Sequence, residues 1–161
     1  MKTIETMMIE KVLQTSLFSS NPRLAKEYGT TEVTIGFHRN GKGDEIVDFM
    51  SYDAQKEIFR CYEIKVTMED FHSGAKKSWC GNYNYLVLSK ELYTQQSLKK
   101  WIEDLPDGIG IVVINTSTAD KKTVLNPKKK EISDNQKDIL KSSLLRTLFY
   151  QNQNDNWYLR K

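Results

Sequence analysis

Three charged residues sit inside runs that are otherwise apolar. Asp48 lies between Val47 and Phe49, and Glu63 and Lys65 bracket Ile64. Burying an unpaired carboxylate is costly, so such charges persist only where something uses them. The runs that carry them, residues 44–52 and 58–66, are rich in β-branched and aromatic residues. A short polar break at 53–57 separates them, which predicts a β-hairpin. Period two then puts Phe59, Cys61, Glu63 and Lys65 on one face, and Ile58, Arg60, Tyr62, Ile64 and Val66 on the other. A register that sets Asp48 across from Glu63 and Lys65 makes two carboxylates and one ammonium converge. Crowded carboxylates repel unless a cation lies between them, and hard oxygen ligands suit Mg²⁺ or Mn²⁺. A lysine beside that ion can orient or deprotonate a water, or steady a negative transition state. This is chemistry suited to cleaving a phosphodiester. The plainer alternative is a solvated salt bridge worth about 0–1 kcal/mol. Apolar neighbours on both sides of the charges argue against it.

Val47-Asp48 followed by Glu63-Ile64-Lys65 resembles the PD-(D/E)xK nuclease signature. The wider runs, Tyr62 to Phe71 and Tyr83 to Leu88, are similar to the MmcB-like DNA-repair branch and to small bacterial and phage proteins. The resemblance covers residues 30–115. Val47 stands where the family usually has proline, a position often replaced in the superfamily. An E-x-K triplet alone is common by chance; the in-strand aspartate, the hairpin spacing and a following helix make the combination more specific.

The resemblance implies a restriction-endonuclease-like α/β sandwich, a mixed central sheet (αβββαβ core) flanked by helices. It implies a metal-dependent nuclease that hydrolyses DNA phosphodiester bonds in repair, recombination or a phage-related process. Asp48 and Glu63 would hold Mg²⁺ or Mn²⁺ with the backbone carbonyl of Ile64, and Lys65 would position the attacking water. Glu32 is the candidate for an additional metal carboxylate, with plain exposure at a strand's start as the alternative. Lys76 is the first choice for a phosphate contact, with Lys77 beside it and Asn84 at the mouth of the next strand. The competing reading is a non-cleaving nucleic-acid- or protein-binding module on the same fold, such as a phage accessory or inhibitor protein. A binder has no need of all three of Asp48, Glu63 and Lys65, which favours the enzyme.

Several elements must position these residues. Residues 3–18 carry apolar rows Ile4, Met8, Val12 and Ile9, Leu13, Leu17 at four-residue steps, with Glu10, Lys11 and Gln14 on the other side. This predicts an amphipathic covering helix that stops before Pro22. Residues 32–37 alternate as a first strand, and the Asn40-Gly41 turn leads into the Asp48 strand. Thr67 with Asp70 has the form of a capping box opening a short helix. His72 on it is a candidate proton carrier, although a surface role is commoner for a lone histidine. Residues 81–88 predict a strand parallel to the Glu63 strand, and 89–101 a helix. A continuous apolar run at 109–115 predicts a strand buried on both faces. Residues 123–125 return as a short strand, and 134–150 form the last helix, with Ile139, Leu140, Leu144, Leu145, Leu148 and Phe149 as its stripe. Trp157 and Tyr158 beyond it are suited to dock on the body or to stack on bases.

At 161 residues the chain is long enough for one domain with a proper core, here spanning 1–161 with a basic helical extension from about 121. From Lys121 onward ten basic residues stand against four acidic ones, a surplus able to neutralise phosphates or simply to solvate a surface. No apolar run reaches membrane-spanning length and no signal-peptide pattern opens the chain, so no membrane partner is expected; DNA is the partner the resemblance implies, and the lack of a disulfide scaffold makes a reducing cytoplasm the expected address. The spacing of surface residues leaves a homodimer open. Two cysteines, Cys61 and Cys80, make no disulfide scaffold and lack the near partners of a zinc site.

Overall fold

The computed structural model describes residues 2–17, 26–36, 43–72, 77–95 and 97–155. Pro22, the Asn40-Gly41 turn, Lys76, Trp157 and Tyr158 lie outside the described residues, as does the side chain of His72.

Helix α1 (Ile4–Ser16) starts where Thr3 accepts the N–H of Thr6, and it buries Ile9 and Leu13. Of the two expected apolar rows, the one through Ile9 and Leu13 carries the packing. Ile4 and Met8 of the other row are exposed. Strands β1 (Glu27–Ile35), β2 (Glu45–Asp53) and β3 (Ile58–Lys65) form an antiparallel meander. The β2–β3 hairpin closes on Asp53, whose Oδ1 accepts the N–H groups of Gln55 and Lys56. Strand β1 starts at Glu27 rather than at 32, which moves Glu32 from a strand end to a strand interior.

Helix α2 (Met68–His72) follows β3 through the expected capping box. The Asp70 N–H donates to Thr67 Oγ1 at 3.3 Å, and Asp70 Oδ2 accepts the Thr67 N–H at 3.1 Å. Thr67→Ala removes the hydroxyl half of that exchange. It is expected to lower stability by about 1 kcal/mol, read from the urea midpoint at unchanged slope.

Strand β4 (Tyr83–Ser89) pairs parallel with β3. The helix expected over 89–101 is two short ones, α3 (Lys90–Tyr93), capped by Ser89, and α4 (Leu98–Glu103). The first ends where the Thr94 hydroxyl donates back to the Glu91 carbonyl, a local bond that competes with continued helix. Strand β5 (Gly110–Asn115) is parallel to β4, β6 (Asp120–Leu125) is antiparallel to β5, and α5 (Asp134–Asp155) closes the described chain.

The result is a mixed α/β fold around a six-stranded mixed sheet in the order β1-β2-β3-β4-β5-β6. One face packs Phe49, Tyr62, Ile64, Val87, Val112 and Ile114 against Ile9 and Leu13 of α1. On the other face Leu140 and Leu144 of α5 cover Val33, Val47, Met50 and Phe59, while Leu92 and Leu98 of α3 and α4 cover Leu86, Leu88 and Ile111. Within residues 121–155, β6 completes the sheet and α5 covers β1 and β2. Its stripe is narrower than expected, because Leu145 and Phe149 face outward, 69% and 58% exposed. Among the described residues no helix is long and apolar enough to cross a membrane.

Candidate functional site

The hairpin that carries the charges opens at them. Ladder pairing between β2 and β3 runs from Asp53–Ile58 as far as Phe49–Tyr62 and then stops. Beyond that point β2 continues alongside β1 and β3 continues alongside β4. The register, extended by one step, sets Asp48 opposite Glu63. In place of a backbone partner, Asp48 Oδ2 accepts the N–H of Ile64 at 2.7 Å. Residues 77–80 fill the opening: Ser78 donates through its N–H and hydroxyl to the Glu45 carboxylate at the start of β2. Cys80 lies against Cys61, the two free thiols 3.8 Å apart and buried. Both cysteines are core fillers that seat this segment on β3.

Lys77 reaches into the opening. Its Nζ lies 2.9 Å from Glu63 Oε2 and pairs with that buried oxygen. Glu63 is 4% exposed. Burial, then the neighbouring Asp48 carboxylate, push the Glu63 carboxyl up to about 8; Lys77 pulls the other way and loses. A carboxyl in this state keeps its proton instead of ionising beside a second acid. Lys77 itself is held above its ordinary value: burial works against its charge, but Glu63, Asp48 and Glu45 together outweigh that. It stays an ammonium.

In front of this pair is a cleft of about 690 Å³ between the start of α1, Glu32, Asp48, the end of β3 and α2. Lys65 and Lys77 both line it. Lys2 bridges two carboxylates there, Glu10 of α1 and Glu32 of β1, the latter at 3.2 Å. Glu32 lies opposite Asp48 in the β1–β2 register, yet its φ is +52°. Side-chain alternation slips at the same place: Val47 and Met50 pack on the α5 side, while Phe49 between them packs on the α1 side. A left-handed glutamate costs about 1–2 kcal/mol and persists where its surroundings impose it, which is common at functional sites. Glu32→Gly is expected to keep or raise the melting temperature, by up to about 1 kcal/mol of stability, since glycine carries no such cost. A fall of more than 1 kcal/mol would show that the Lys2 bridge outweighs the strain.

The structure thus brings Asp48, Glu63 and Ile64 together and opens Glu32 and Lys65 onto the same cleft. It differs from the expectation over which lysine meets the carboxylates. Lys77, expected as a nucleic-acid contact, pairs with Glu63, while Lys65 lines the cleft wall. Asn84 has another use: it is buried, and its amide accepts the Gly81 N–H and donates to the Gly81 carbonyl, both at 2.9 Å, so it clamps a turn. The apolar rows of α1 predict an outer position for Glu10; in the structure it pairs with Lys2 and lines the cleft, and no periodic signal marks it. Among the described residues no three or more of His, Cys, Asp and Glu converge as a metal-holding group.

No protein-family model matches this chain, and no curated protein matches it. It is similar in fold to a solved protein of unknown function from Silicibacter pomeroyi, with a TM-score of 0.65 over 95% of this chain and 92% of that one. At 13% identity that likeness speaks to the mixed α/β fold alone.

Proposed function

We propose that the chain is a metal-dependent nuclease of restriction-endonuclease-like fold that hydrolyses phosphodiester bonds, DNA being the substrate the resemblance implies. One observation carries the reading: the β2–β3 ladder parts at Asp48 and Glu63, so that Asp48 and Lys77 line a cleft with the buried Glu63 carboxylate paired to Lys77 behind it. The residues fit Mg²⁺ or Mn²⁺. Mg²⁺ is ordinarily held by one or two carboxylates and keeps several waters, so a dedicated cage of three acidic side chains is not required. Asp48, Glu63 and the carbonyl of Ile64 would hold the ion, with the Lys77 ammonium, 2.9 Å from Glu63 Oε2, yielding that oxygen to it. Bound there, the ion would polarise a phosphoryl oxygen and make a coordinated water more acidic.

The chain's own groups supply the rest. Lys77, fixed as an ammonium, stabilises negative charge developing on phosphorus. Lys65 orients the attacking water from the cleft wall. The Ile64 N–H fixes the Asp48 carboxylate in one orientation, so no reorganisation is needed during reaction.

A second reading rests on the lysines. Lys77 on Glu63, and Lys2 on Glu10 and Glu32, already neutralise carboxylates from within, as suits a non-cleaving nucleic-acid- or protein-binding module. Incubation with single-stranded, nicked and branched DNA plus Mn²⁺, alongside Asp48→Ala and Lys65→Ala, separates the two. Cleavage lost in both variants supports the hydrolase. Gel retardation without cleavage, unchanged by either substitution, supports the binder.

A further inference from the structure

Lys77 lines two clefts, the carboxylate cleft and a neighbouring groove of about 590 Å³. Trp79 and Ile109 lie along this groove, and Lys128, Lys129 and Lys130 border it. The lysines belong to a segment without helix or strand that is nonetheless held firmly. The Lys128 N–H donates to the Gly108 carbonyl at 3.0 Å and the Lys130 N–H to the Asn82 carbonyl at 2.7 Å. Asn82 returns a bond from its amide to the Lys130 carbonyl at 3.0 Å, and Lys130 Nζ donates to the Trp79 carbonyl at 3.0 Å. The groove is therefore preformed.

Trp79 adds an independent sign. Its φ is +48°, a left-handed backbone that a bulky residue rarely adopts and that strain-bearing functional segments retain. It is only half buried, partly packed against the cluster of Leu86 and Leu88 and partly open to the groove. Two acids pair with these lysines: Asp107 with Lys128 at 3.0 Å, side chains 88% and 73% exposed, and Glu131 with Lys129 at 3.5 Å, 83% and 48% exposed. A pair so open to water is worth little and gives way readily to a phosphate.

We propose that this groove binds a single-stranded segment of nucleic acid and leads it across Lys77 to the carboxylate cleft. Lys128 and Lys129 take backbone phosphates, and the Trp79 indole takes an unstacked base. A recessed aromatic beside a cationic edge suits a single strand, since a duplex hides its base faces in the stack. The proposal rests on the nucleic-acid reading above, but it concerns binding and not turnover.

The test is fluorescence anisotropy of a labelled oligothymidylate in EDTA, over a salt series, with a duplex of equal length as the comparison. The single strand should bind more tightly. In the Lys128→Gln/Lys129→Gln variant, affinity at low salt should fall about tenfold or more, and the slope of log K against log salt should shrink by about 1.4, two phosphates at about 0.7 each. Trp79→Leu should weaken binding further, and Trp79→Phe should restore most of it. If the leucine variant fails to fold, the lysine variant and Trp79→Phe decide the matter. Unchanged affinity and slope in the lysine variant, or a duplex bound as tightly as the single strand, would overturn the groove. Single-strand binding with no cleavage in Mn²⁺ leaves the groove standing and removes the hydrolase. Cleavage unaffected by the groove variants does the reverse.

Discussion

Asp48→Asn is expected to reduce Mn²⁺-supported DNA cleavage by about 10²–10³-fold or more, with little change in stability. The scale is that of deleting one preorganised electrostatic contact to a transition state. Asparagine keeps an oxygen able to accept the Ile64 N–H, so the structural half of the residue survives while the charge goes. Lys77→Ala should produce a loss of similar size, and Lys65→Ala a smaller one, because Lys77 is the lysine that meets Glu63. Endpoint digestion and single-turnover rates on the preferred DNA would rank the three. A ranking with Lys65 foremost would mean that the Lys77 pair is a resting contact displaced when substrate enters. Full activity in Asp48→Asn would remove Asp48 from the metal site and overturn this mechanism.

The second large effect is on stability against pH. The folded-state carboxyl of Glu63 sits at about 8, above its unfolded value near 4.5, for the reasons of burial first and the Asp48 charge second. Between those values the folded chain holds a proton that the unfolded chain has released. Stability is then greatest below the unfolded value, falls as pH rises through the interval, and levels off above about 8. The loss across that window should be on the order of a few kcal/mol, and it should nearly vanish in Glu63→Gln. Urea titrations at a series of pH values from acid to mildly alkaline measure both. Saturating Mn²⁺ should restore the alkaline stability of the native chain and leave Glu63→Gln unmoved, because binding to the folded form alone stabilises it. A flat pH profile in the native chain would mean that the Lys77 ammonium, and not the proton, neutralises Glu63.

These expectations separate what the residues announce from what the fold arranges. The hairpin of β2 and β3, the capped α2, the parallel β4 and the doubly buried β5 follow from local signals: alternation, a Thr–Asp box, an unbroken apolar run. Asp48 and Glu63 were legible for a related reason, since a charge flanked by apolar residues in a strand conflicts with its surroundings and the conflict is visible in one dimension. The division of residues 89–101 into two helices was less legible, because a hydroxyl bonding back to its own turn leaves little mark on periodicity.

The sequence by itself determined the strand-borne carboxylates and the mixed α/β succession, because both are set by neighbours one to four positions away. The tertiary structure alone decided which lysine meets them. Lys77 is fourteen positions beyond Glu63 in the chain and reaches it only because β2 and β3 part and residues 77–80 lie in the opening. It also decided that Glu10 and Lys2 join Glu32 in one cleft, and that Asn84 turns inward to clamp Gly81. Contacts of that kind depend on where separate segments come to rest against the sheet, which no spacing along the chain encodes.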